Sequence, residues 1–141
     1  MDEGNVATDI KVDYNQNADT FVGNYAKIIQ KIRETNEHAP IFCLIQPNGV
    51  MSATFDNAIR TIVNHFDGVF LIDTRADLSA VGITILSSHP YIYRGHWTTQ
   101  GYQWMAYVLA NEIDNIIRSN REYFDRVALI GTAADNGSII W

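Results

Sequence analysis

Apolar residues at Phe21, Tyr25, Ile28, Ile29 and Ile32 recur at the three-to-four spacing of one helix face. That pattern predicts a helix capped at Asp19 or Thr20 and stopping between Asn36 and Pro40. The block Ile41 to Ile45 is apolar without alternation and runs into Pro47-Asn48-Gly49, which suits a strand covered on both faces followed by a turn. A second helical stripe passes through Phe55, Ala58, Ile59, Ile62, Val63 and Phe66 and is closed by Asp67-Gly68. Another apolar block, Val69 to Ile72, ends at Asp73. The clearest stripe is Tyr102, Met105, Ala106, Leu109, Ile113, Ile116 and Ile117, a helix expected to finish near Ser119-Asn120 and to bury Tyr102 on its core side.

Three stretches fall outside this rhythm. Residues 74–97 hold only a hint of a strand at Ile83 to Leu86, and a connection of that length in a small domain is usually functional or disordered. Arg126 to Gly131 suits one more strand, with a final turn at ADNGS. Residues 1–18 are rich in Asp and Asn and read as an irregular lead-in with at most a short ordered piece. The predicted order is helix, strand, helix, strand, loop, helix, strand. Continuous apolar strands alternating with helices imply an α/β domain with a parallel sheet, since crossover helices must cover both faces. In such sheets ligands sit beyond the carboxyl ends of the strands, so Gln46 to Asn48, Asp73 to Arg75 and the loop to His96 are expected to share one edge.

Composition narrows the function. At 141 residues and 47% hydrophobic content, the chain suffices for one domain, 1–141, with a single core. A net charge of −6 with ten scattered basic residues leaves no surface for nucleic acid or an anionic membrane. No apolar stretch reaches the roughly 18 residues that cross a bilayer, and the acidic N-terminus is unlike a signal peptide. The one cysteine, Cys43, lies within IFCLI and reads as a small core residue.

The candidate chemistry centres on GHWTTQGYQWMAYVLANEI, residues 95–113. His96 stands just ahead of two threonines able to cap the last helix, at the mouth of the expected sheet. An imidazole there suits a general base at neutral pH; the alternative is a loop histidine bonded to a backbone carbonyl. Ser87 and Ser88 adjoin His89, but sequence neighbours rarely face each other productively, so they read as turn formers. The spacing of His89, His96 and Asp73 fits no compact metal-ligand set, and no metal or cofactor is expected. His65 reads as a helix-end dipole partner and His38 as part of a polar turn. Tyr91, Tyr93, Trp97, Tyr102 and Trp104 bracket the histidine, and Tyr91, Tyr93 and Trp97 are the candidate substrate wall.

This block resembles the C-terminal catalytic block of SGNH or GDSL-type hydrolases, in which a histidine stands five residues before a glycine that opens the last helix. His96 and Gly101 match that spacing, and Gly101-Tyr102 matches the family's small-then-bulky pair. NADTFVGNYAKIIQKIRETNEHAPIFCLIQPN resembles the family's preceding helix and strand, so the likeness covers roughly residues 17–119. It implies a three-layer, flavodoxin-like α/β sandwich with a parallel sheet, incomplete at its N-terminus, and a serine esterase in which His96 is the base. No Gly-Asp-Ser-like or Gly-x-Asn-Asp element occurs here, so the nucleophile and oxyanion donors lack counterparts. The family's aspartate three residues before the histidine is replaced by Tyr93. Asp73 or a backbone carbonyl is then the candidate group orienting His96. The chain is expected to be the C-terminal part of a longer hydrolase, inactive alone, completed by the missing N-terminal half of the domain. Its expected substrate is a small ester, an acylated carbohydrate or another. A non-catalytic α/β module that binds carbohydrate or a protein through the aromatic loop is the alternative. A flavodoxin-like nucleotide or flavin binder fits poorly, because Pro47-Asn48-Gly49-Val50 makes a weak phosphate loop.

Overall fold

The irregular lead-in acquires order where it meets the next helix. Helix α1 (Val6–Asp9) is capped by the Asn5 side chain, and a single 3-10 turn follows at Tyr14–Gln16. Helix α2 (Phe21–Thr35) starts from Thr20, whose hydroxyl accepts from Gly23 N at 3.1 Å. The carbonyls of Asp2 and Glu3 accept from the Phe21 and Val22 amides at 2.8 and 3.0 Å. These bonds satisfy donors that a helix N-terminus leaves free. Asp9 clasps the same junction, accepting from Asn5 N, Thr8 Oγ1 and Thr20 Oγ1, and the hydrogen bonds hold its carboxyl below the usual range. Val6 and Ile10 pack on the core, so the lead-in covers apolar surface that its composition alone does not reveal.

The computed structural model describes residues 2–46, 52–75, 91–93 and 96–124. The turn at Pro47-Asn48-Gly49, the hinted strand at Ile83 to Leu86, the residues Ser87, Ser88 and His89, and the segments RVALIG and ADNGS lie outside them.

Strand β1 (Ile41–Ile45), helix α3 (Ala53–His65) and strand β2 (Val69–Asp73) form a strand–helix–strand unit. The two strands pair in parallel, from Ile41 opposite Val69 to Ile45 opposite Asp73. Paired residues share a sheet face, and successive residues alternate. One face turns Cys43 and Ile45, with Val69, onto Val22 and Ile29 of α2 and Ala58, Ile59 and Ile62 of α3. The other face carries Phe42 and Phe70, whose ring centroids lie 5.7 Å apart, and Phe124 stacks on Phe70 at 5.2 Å. Apolar packing from both sides explains why neither strand alternates in sequence. Gly68, at φ 64°, turns the chain into β2 directly beneath the Tyr123 ring, where a Cβ would lie 2.1 Å from the hydroxyl oxygen. That hydroxyl donates to the His38 carbonyl at 2.9 Å and ties the chain after the last helix to the start of β1.

A short antiparallel hairpin, β3 (Ile92–Tyr93) and β4 (His96–Trp97), leads into helix α4 (Thr99–Ser119). The chain is thus mixed α/β and rich in helix, with a two-strand parallel sheet among the described residues. Tyr102 departs from expectation, since it is 62% exposed and not core. Gly101 and Met105 set the buried side of α4, and Tyr102 lies about 100° around the helix from Gly101.

Candidate functional site

The hairpin–helix junction owes its shape to Thr98 and Gly101. Thr98 caps α4, its hydroxyl oxygen accepting from Gly101 N at 3.1 Å while its O–H donates to the Tyr91 carbonyl at 3.2 Å. The Thr98 amide donates to the same carbonyl at 2.9 Å. Tyr91 O therefore presses on the first turn of α4, and a Cβ at position 101 would lie 2.2 Å from it and 2.8 Å from Trp97 Cε3. The glycine five residues after His96 is thus a packing requirement, letting the hairpin lie flat on the helix. Gly101→Ala should lower stability by about 1–3 kcal/mol despite alanine's better helix propensity, because the clash is with backbone that cannot rotate away. Denaturant unfolding followed by tryptophan fluorescence checks this, and an unchanged midpoint contradicts it.

His96 is exposed on β4, paired across the hairpin with Tyr93, and has no hydrogen-bond partner among the described residues. Its ring is open to solvent, and most of the Ser87 to Gly95 loop, whose backbone carbonyls are the alternative partner for it, lies outside the described residues. Trp97 is half-buried against Met105, and Tyr91 is half-buried with its ring 5.9 Å from Trp104. The hairpin therefore brings Tyr91, Tyr93, His96 and Trp97 together in the chain's path, with the Tyr91 and Trp97 rings partly spent on packing against α4.

Asp73 sits at the carboxyl end of β2, as expected, but its carboxylate is engaged by Arg60 Nη2 from α3. No bond from Asp73 to His96 is present. Beside it stands a pair that the sequence reading passed over. Asp56, in the first turn of α3 and 2% exposed, binds Arg75 Nη1 at 2.5 Å through Oδ2, while its Oδ1 has no hydrogen-bond partner among the described residues. Thr74, fully buried, donates from Oγ1 to the Ile45 carbonyl at 2.7 Å and closes the end of the strand pair. The strands' carboxyl edge is thus a polar knot of Asp56, Arg60, Asp73, Thr74 and Arg75. A signal for it existed: Asp56 falls on the same helix face as Ile59 and Val63, three and seven positions on, so a carboxylate interrupts an apolar stripe. A charge placed there needs a buried partner.

Burial pushes the Cys43 thiol up, outweighing a hydrogen bond with Tyr25, so the sulfur remains a neutral core group. His65 ends α3 and meets Phe66 edge-on with centroids 4.9 Å apart. Among the described residues no cluster of His, Cys, Asp and Glu forms a metal site, and no helix is long and apolar enough to cross a membrane.

Comparison with models of known families, with curated proteins and with solved structures finds no match to this chain.

Proposed function

We propose that this chain is the C-terminal part of an SGNH-type serine ester hydrolase, built as a three-layer α/β sandwich and completed by a preceding segment. The observation that carries the reading is His96: an exposed imidazole at the tip of a hairpin clamped to the first turn of α4 through Gly101. A rigid mount and an open ring are what a general base needs. In the proposed reaction His96 takes the proton from a serine hydroxyl supplied by the preceding segment as the serine oxygen attacks the ester carbonyl. The same proton then goes to the departing alcohol, and water repeats the sequence to free the acid. Tyr91, Tyr93 and Trp97 border the acyl or alkoxy part of the substrate. With Asp73 held by Arg60, the ring gets its orientation from the hairpin itself. The substrate class is a small ester, with acylated carbohydrate the natural candidate beside tyrosines and tryptophans.

A second reading is a non-catalytic α/β module that binds carbohydrate or a protein through the same aromatic hairpin. It draws on the absence of any serine hydroxyl or carboxylate bonded to His96 among the described residues. Fluorophosphonate labelling of the longer protein separates the two, because only an activated serine reacts. The hydrolase reading expects stoichiometric labelling at a serine preceding this chain and none on the 141-residue chain alone. An unlabelled longer protein sinks it.

A further inference from the structure

The far end of α4 holds a cavity that the hydrolase reading does not use. Its volume is about 490 Å³, and Asp114, Ile117, Arg118, Arg121 and Phe124 line it. That is within the size range of small-molecule sites. The surrounding chain fixes its walls. Asn120 ends the regular helix, and its carbonyl accepts from the Tyr123 and Phe124 amides at 3.0 and 3.2 Å, which starts one further turn. The Tyr123 hydroxyl ties that turn to the His38 carbonyl, and the Phe124 ring stacks on Phe70 with centroids 5.2 Å apart. Asp114 accepts from Arg118 Nε at 2.7 Å and holds that guanidinium by its side edge. One part of the cavity wall is therefore charged, and another, Ile117 with the Phe124 ring, is apolar.

We propose that this cavity binds an aromatic monocarboxylate. The charge of the lining selects the anion. Two guanidiniums against one carboxylate leave a single positive charge, which matches a monoanion, while Asp114 repels the second charge of a phosphate dianion. The planar fork of a guanidinium also suits a carboxylate, which accepts two parallel N–H bonds from it. Arg118 and Arg121 stand three residues apart in the same wall, so one carboxylate can engage both. The apolar wall selects the rest of the ligand. A flat ring set against Phe124 and against Ile117, which is 38% exposed, removes apolar surface of all three from water. From Thr99 to Arg118 the helix rises about 28 Å, so this site is remote from His96 and independent of the hydrolase reading.

Benzoate is the probe. In an NMR titration of the 141-residue chain it should give saturable shifts at the Arg121 and Phe124 amides, with a Kd of about 1 mM for a ligand of its size. Inorganic phosphate and benzyl alcohol, which keep the charge or the ring alone, should each bind at least about tenfold more weakly. Arg121→Gln should weaken benzoate about tenfold, and Arg118→Gln with Arg121→Gln should abolish saturation. Both side chains are exposed, so the circular dichroism spectrum should not change in either variant. The absence of saturable shifts up to about 20 mM benzoate overturns the proposal. So does benzyl alcohol or phosphate binding as tightly as benzoate, or an unchanged benzoate affinity in the double variant.

Discussion

In the longer ester hydrolase that we propose, His96→Ala should lower kcat for a p-nitrophenyl ester by about 10⁴- to 10⁶-fold, with KM changed little. The size follows from the base's role: without it the serine keeps its proton, and what remains comes from binding and oxyanion donors. The effect on kcat should far exceed the effect on stability, because the ring is exposed and has no partner among the described residues. Thermal unfolding of the variant therefore serves as the control. Turnover within tenfold of wild type removes His96 from the chemistry, and with it the main support for the hydrolase reading. A large loss of stability would instead show that the imidazole holds the hairpin.

Arg75→Met lowers stability by about 3–5 kcal/mol, the cost of leaving a buried carboxylate without its cation. Asp56 is 2% exposed, and among the described residues its one ionic contact is Arg75 Nη1. Methionine keeps most of the side-chain volume, which isolates the charge from the packing. The test has a built-in cross-check: adding Asp56→Leu to Arg75→Met should recover most of the loss, since an apolar pair has no charge to desolvate. Chemical denaturation of the two variants measures both. If Arg75→Met costs less than about 1 kcal/mol, as an exposed ion pair would, the knot at the carboxyl edge is not holding β2 to α3.

Much of the fold was legible because the relevant interactions are local. The stripe from Phe21 to Ile32, the threonine caps and the glycine at position 68 each act within a few residues of one another, so spacing alone placed α2, α3 and α4. The two apolar blocks became β1 and β2 in parallel, as continuous apolar strands require. The lead-in and Tyr102 were not readable in this way. Order in the lead-in depends on Asp2 and Glu3 meeting α2, and the exposure of Tyr102 depends on which side of α4 the hairpin occupies.

The site divides along the same line. A histidine before a capped helix, and a glycine five positions later, are facts of spacing readable along the chain. That Gly101 admits the Tyr91 carbonyl, that Asp73 answers to Arg60, and that Asp56 and Arg75 form a buried pair emerge once the layers pack. The physical reason is distance along the chain. Helix caps and stripes are set by neighbours, whereas a carboxylate's partner is chosen by whichever cation the packed layers bring within reach, here 13 residues from Asp73 and 19 from Asp56.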